Sequence, residues 1–171
     1  MIAKAKMDLQ YFEPLYNKYY ESIFRFVHRK TDDENLAADV TSKVFMNAMN
    51  ALAKYEVRNV PFGAWLYRIA HNEVNKHFRA SKKRMLSLED DKVNLVMSCE
   101  HLEDGEEKLK VLYQLIEALS EEEIRILELK FFENKNFQEI AFILGKKESA
   151  VKMKMYRSLQ KLKERFQKLN K

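Results

Sequence analysis

Glycine, proline and cysteine are scarce in this chain. Three glycines and two prolines in 171 residues are too few for the many turns of a β-rich fold, and the abundance of Leu, Lys, Glu, Ala and Met favours helix. The expected fold class is all-α. Cys99 is the single cysteine, so no internal disulfide can form. The four histidines, His28, His71, His77 and His101, stand without metal-ligand spacing, and no metal or other cofactor is expected. A glycine-rich phosphate loop and a nucleophile with a base at recognisable spacing are also missing, which argues against an enzyme. The amino terminus MIAKAKMDLQ has no apolar core, and an apolar run long enough to span a bilayer occurs nowhere. Neither export nor membrane insertion is expected, and a cytoplasmic location follows.

What the chain does have is helix-forming apolar periodicity and unevenly placed charge. The hydrophobic content of 46% is enough to build cores for one medium domain or two small ones. The net charge of +5 hides a pattern: residues 1–84 carry +6, residues 85–110 carry −5 and residues 111–171 carry +4. Two basic blocks are joined by an acidic segment. Residues 85–105 lose clear periodicity, so the expected organisation is an amino-terminal domain (1–84), a linker (85–105) and a carboxy-terminal domain (106–171).

The stretch Phe137 to Lys163 carries the sharpest local signal. Ala141 is small where two helices must cross closely, Gly145 follows where the turn needs a permissive backbone, and Val151 then returns as a branched core plug. That is helix-turn-helix spacing. Val151, Met155, Leu159, Leu162, Phe166 and Leu169 form one apolar stripe on the second helix, so Ser149, Met153, Tyr156, Arg157 and Gln160 point away from it. Residues 146–171 carry ten basic side chains against two acidic ones, and a polyanion is the expected partner. Upstream, helical spacing from Glu106 to Leu119 precedes a capping box, Ser120 with Glu123. That box opens a helix from Glu121 to Phe132 burying Ile124, Leu127 and Phe131.

In the amino-terminal block, a first helix is expected from Asp8 to Lys30, with Phe12, Leu15, Tyr16, Tyr19, Ile23, Phe26 and Val27 on its buried face. Asp32 or Asp33 caps a second helix that reaches about Ala53, striped by Leu36, Ala37, Val40, Val44, Ala48 and Leu52. Its other side holds Asp39, Ser42, Lys43, Met46, Asn47 and Asn50, which fits either solvent or a protein partner. Pro61 closes a loop and opens a third helix from Phe62 to Arg84, burying Phe62, Leu66, Ile69, Ala70 and Val74. Opposite them Arg68, Asn72, Asn75 and Arg79 line up, with Trp65 at the edge near the loop. Cations for phosphate, Asn for base edges and an aromatic for stacking suit unstacked nucleic acid. The plainer alternative makes Trp65 a core anchor and the row ordinary surface. Glu73 and His77 fall on the side assigned to the core and have no account there.

Four stretches together resemble the extracytoplasmic-function (ECF) group of bacterial RNA polymerase sigma factors: FEPLYNKYYESIFRFV, DDENLAADVTSKVFMNAM, PFGAWLYRIAHNEVNKHFR and LSEEEIRILELKFFENKNFQEIAFILGKKESAVKMKMYRSLQKL. The resemblance covers nearly the whole chain in order and spacing. It implies two small helical domains, sigma regions 2 and 4, with no enzymatic activity. It implies that Asp39, Ser42, Lys43, Met46 and Asn47 lie near core RNA polymerase. Arg58, Asn59 and Val60, with Trp65, Arg68, Asn72, Asn75, Lys76 and Arg79, would hold the melted minus-10 strand of promoter DNA. Lys152, Met153, Tyr156 and Arg157 would read the minus-35 duplex, with Lys147, Ser149 and Lys154 nearer phosphates. An anti-sigma factor is a further implied partner.

Some positions depart from the commonest family pattern. Ser42 stands where Gln is frequent, Lys76 where Asp is frequent, and Ala150, Met153 and Lys154 where Thr, Ser and Arg are frequent. Lys76 reverses a charge beside the expected DNA path, and the last three are expected to alter which bases are preferred. A stand-alone helix-turn-helix regulator is the competing expectation, and it leaves the WLYRIA helix without a task.

Overall fold

A computed structural model describes residues 1–56, 60–80, 111–116 and 118–169. Among the described residues the regular structure is helical. The chain divides near Lys82 into two compact units.

The first unit is built from α1 (Ile2–Met7), α2 (Glu13–Thr31), α3 (Glu34–Ala51) and α4 (Phe62–Ala80), with single 3-10 turns at Leu9–Phe12 and Leu52–Lys54. The expected first helix from Asp8 is corrected by Pro14. Proline lacks an N–H and its ring clashes with the carbonyl four residues back, so α2 begins around it and the preceding residues form a separate short helix and a turn. Asp32 ends α2 in the left-handed region, its N–H donating to the His28 carbonyl at 2.9 Å. Asp33 then caps α3, accepting from the Leu36 N–H at 2.8 Å. The cap assignment therefore falls on Asp33.

Helices α2, α3 and α4 pack against one another around Ile23, Val27, Val40, Val44, Leu66 and Ala70, all buried. Phe45, absent from the expected stripe, is also buried and is met by the rings of Phe12, Tyr16 and Tyr20 at 6.4, 4.7 and 6.2 Å. Tyr16 itself, expected inside, is exposed at the edge of this cluster, and Tyr19, Leu36 and Ile69 are half-buried. A Cβ on Gly63 would sit 3.0 Å from the Tyr19 ring, so the absence of a side chain lets α4 start against α2.

The second unit holds a helical segment at residues 111–116, then α5 (Glu121–Phe131), α6 (Phe137–Leu144) and α7 (Glu148–Leu169). The Ser120 capping box is present in both halves: the Ser120 N–H donates to Glu123 Oε2 at 2.8 Å, and Ser120 Oγ accepts from the Glu123 N–H at 3.4 Å. A second reciprocal box opens α6, where the Asn136 N–H meets Glu139 Oε2 and the Glu139 N–H meets Asn136 Oδ1, each at 2.9 Å. Gly145, at φ +65, turns the chain from α6 into α7, and the Lys146 N–H returns to the Ala141 carbonyl at 2.8 Å.

Ala141 and Val151 are buried as expected. Phe131 is not: it is 62% exposed, because α5 ends on it and turns its ring outward past Ile126 and Leu129, which fill the core instead. Among the described residues of the α7 stripe Val151 and Met155 are buried, Leu162 is half-buried, and Leu159 and Phe166 are exposed, since that part of the helix runs beyond the α5–α6 core. The expected linker 85–105 and the end of the third helix at 81–84 lie outside the described residues, as do residues 106–110 of the expected helix after the linker.

Candidate nucleic-acid interface

In the first unit α4 presents Arg68, Asn72, Lys76 and Arg79, all exposed, along one flank. Asn75, also on that flank, is half-buried, and its Nδ2 lies 3.0 Å from His71 Nε2, so this amide is engaged by its own helix. Trp65 stands one turn before Arg68 and is half-buried. Its ring packs on Tyr55 at 4.8 Å and on Phe62 at 5.2 Å, and those two buried rings meet edge to face at 5.4 Å. Trp65 is thus the outer member of a three-ring cluster, partly anchor and partly bare face. Burial first, and the neighbouring Tyr19 second, push the Tyr55 phenol up from its ordinary pKa. Lys6 of α1 donates to the Tyr55 carbonyl, which ties the start of the loop to the body of the unit.

Val60 is half-buried, while Arg58 and Asn59 lie outside the described residues. Glu73 and His77, assigned to the core from periodicity, are half-buried at the boundary of the exposed flank. On α3, Asp39, Ser42, Lys43, Met46 and Asn47 are all exposed, Met46 by 58%. An exposed methionine among short polar groups gives an adaptable surface rather than a charged one.

In the second unit Lys147, Ser149, Lys152, Met153, Tyr156 and Arg157 are exposed, while Lys154 is half-buried. Met153 and Tyr156 are bare by 50% and 63%, on the side of α7 opposite buried Val151 and Met155. Lys152 Nζ is held by Glu148 Oε1 at 2.7 Å within the same helix. Among the described residues Arg157 has no carboxylate partner.

Two acidic residues at the start of α5 organise this cationic face: Glu122, without a signal in the sequence, and Glu123, read there as half of the capping box. Glu123 accepts from Lys161 Nζ at 2.7 Å while serving the capping box. Burial raises its pKa, but the Lys161 and Ser120 hydrogen bonds outweigh that and hold it at about 2. Glu122 lies 2.5 Å from Lys154 Nζ and 3.4 Å from Lys146 Nζ. The capping-box pattern located Glu123 in the sequence, yet nothing local signals partners more than twenty residues away. Among the described residues no group of three or more His, Cys, Asp or Glu could hold a metal, and no helix is long and apolar enough to cross a membrane.

Comparison with known proteins falls on these same two units. The family model of Sigma-70 region 2 matches residues 15–84, and that of Sigma-70, region 4, matches residues 109–162. The ECF RNA polymerase sigma factor BldN of Streptomyces coelicolor is 27% identical over 88% of this chain and 58% of its own length. RNA polymerase sigma factor YlaC of Bacillus subtilis is 28% identical over 91% of this chain and 92% of its own. SigM, an ECF sigma factor of the same organism, is 27% identical over 88% and 92%. Among solved structures, CnrH in complex with the cytosolic domain of CnrY aligns with a TM-score of 0.65 at 20% identity, covering 95% of this chain and 92% of that one. The sigma factor RpoE in complex with the anti-sigma factor NepR, from Bartonella quintana, gives 0.62 at 16%, covering 91% and 96%. These structural likenesses speak for the fold.

Proposed function

The chain belongs to the sigma-70 family, in its extracytoplasmic-function group, and from that premise we propose that it binds core RNA polymerase and directs it to specific promoters. The observation that carries this is the succession, in family order, of a region 2 unit with an exposed cation–asparagine flank and a region 4 unit with an exposed helix-turn-helix face. In region 2, Arg68, Lys76 and Arg79 follow the phosphates of the opened minus-10 strand, Asn72 reaches base edges, Asn75 lies along the same strand with its amide held by His71, and Trp65 offers a stacking face at the mouth of the loop. Arg58 contributes to holding that strand, with Asn59 and Val60 near a flipped base. Asp39, Ser42, Lys43, Met46 and Asn47 meet the polymerase largest subunit.

In region 4, Lys152, Met153, Tyr156 and Arg157 read the minus-35 major groove, with Lys147, Ser149 and Lys154 toward the phosphates. The protein's task is binding and positioning, and the polymerase supplies the chemistry. One structural relative, RpoE of Bartonella quintana, was solved with an anti-sigma partner, and an anti-sigma factor is proposed for this chain too. A stand-alone helix-turn-helix regulator is not favoured, because it leaves the region 2 unit unused.

Reconstitution with core polymerase tests the proposal. A stable complex and promoter-directed transcripts are expected; no binding to core and no transcript from any genomic template would refute it. Within that complex, Arg157→Ala should weaken binding to the minus-35 duplex by about 1–3 kcal/mol without loss of core binding. Equal affinity of variant and parent would remove Arg157 from the reading face.

A further inference from the structure

Two cations of the duplex-reading element are paired with one and the same carboxylate. Lys154 Nζ lies 2.5 Å from one oxygen of Glu122 and Lys146 Nζ 3.4 Å from the other. A single carboxylate at the start of α5 therefore engages both the turn before α7 and the second turn of α7. The hydrogen bond from Lys154 is the main influence on the Glu122 carboxyl, which lies below its ordinary pKa despite opposing burial. The pair Lys152–Glu148 differs in kind: it joins neighbours on one helix and orients nothing beyond that helix.

A cation that pairs with a DNA phosphate releases a counterion and adds affinity for any sequence. A cation already satisfied by a carboxylate adds little of this. We propose that Glu122 is a specificity-determining positioning residue: it draws Lys146 and Lys154 into bracing α7 against α5, so that duplex affinity rests on the base-facing Met153, Tyr156 and Arg157. The inference rests on α7 being the duplex reader. The phosphate-side role for Lys154 in that reading is thereby reduced to a brace.

The test uses holoenzyme reconstituted with core polymerase, binding a duplex promoter fragment and an unrelated duplex of equal length across a salt series. Glu122→Gln keeps the shape of the side chain and removes the charge. It should steepen the dependence of log affinity on log salt by about 1 to 2, since about 0.9 is expected per newly neutralised phosphate. Affinity for the unrelated duplex should rise about tenfold at low salt and affinity for the promoter by less, so that discrimination falls. The triple variant Glu122→Gln, Lys146→Gln, Lys154→Gln lacks the same ion pairs but frees no cation, and should return the parental slope.

An unchanged slope for Glu122→Gln, with Arg157→Ala still impaired, overturns the proposal and leaves α7 as the reader. An unchanged slope with Arg157→Ala also unimpaired overturns both. Equal weakening of the single and triple variants overturns the proposal as well, since Glu122 would then act only by holding the fold.

Discussion

The two units hold themselves together by different means. Region 2 is closed by rings and aliphatic side chains: Phe45 sits among Phe12, Tyr16 and Tyr20, and Tyr67 meets Phe26 edge to face at 5.2 Å. An ion pair on its surface, Arg25 with Glu21, is exposed on both sides and contributes little. Region 4 has a small apolar core and adds reciprocal caps and carboxylates that reach across the fold to Lys146, Lys154 and Lys161. Residues 146–171 include ten basic ones, and their mutual repulsion opposes compaction. The acidic start of α5 offsets that repulsion where it meets Lys146, Lys154 and Lys161. Apolar burial is indifferent to salt and acid, whereas this charge clamp is sensitive to both.

The largest effect that separates the two should come from Phe45→Ala. The side chain is 2% exposed and its loss leaves a cavity among three rings, which costs about 3–5 kcal/mol. Hydrogen exchange on the full chain should show the loss in α2, α3 and α4, with protection in α5 and α7 retained. An equal loss in both units would break the comparison by making them one cooperative body.

Acid should act on the other unit. The Glu123 carboxyl titrates at about 2 in the fold against an ordinary value of 4.5. A lowered folded pKa means that the contribution is complete above the ordinary value and disappears as the pH falls toward the folded one. Protection of α5 and α7 should therefore decline between those two values. The contribution at stake is about 2 kcal/mol, less than the whole shift implies because Lys161 is half in water. Glu123→Gln should be less stable at neutral pH and show a flatter profile across that window. A parental profile in the variant would remove the clamp from the account of this unit.

Much of this was legible because it is local. The Ser120–Glu123 box, Asp33 as a cap, and Ala141, Gly145 and Val151 around the turn are all set by neighbours within a few residues. The Asn136–Glu139 box has the same spacing, and its pattern is equally visible in the sequence. Phe45 and Thr41 lie beside the stripe of α3 and are both buried, since packing of α3 on two other long helices widens the apolar arc beyond one face. Around α5 the buried set includes Glu123, Ile126, Glu128 and Leu129, so a single-stripe reading favoured Phe131 wrongly. The Glu122 and Glu123 partners lie far along the chain, and helical periodicity is silent about contacts at that distance.

The smallest effect concerns two of the glycines, Gly63 and Gly145, which the units use for different reasons. Gly145 needs its backbone: at φ +65 a Cβ would meet nothing within 4 Å, so space is not the constraint. Gly63 needs its missing side chain, because a Cβ there would sit 3.0 Å from Tyr19 Cε1. Gly145→Ala should destabilise region 4 by about 1 kcal/mol through left-handed strain. Gly145→Asn should recover part of that, because asparagine tolerates this conformation. At Gly63 the order should reverse, since the larger asparagine presses further on the Tyr19 ring and gains nothing from its backbone preference. Thermal unfolding of the four variants decides it: asparagine outranking alanine at Gly145 but not at Gly63 separates backbone strain from crowding, and the same order at both positions would erase the distinction.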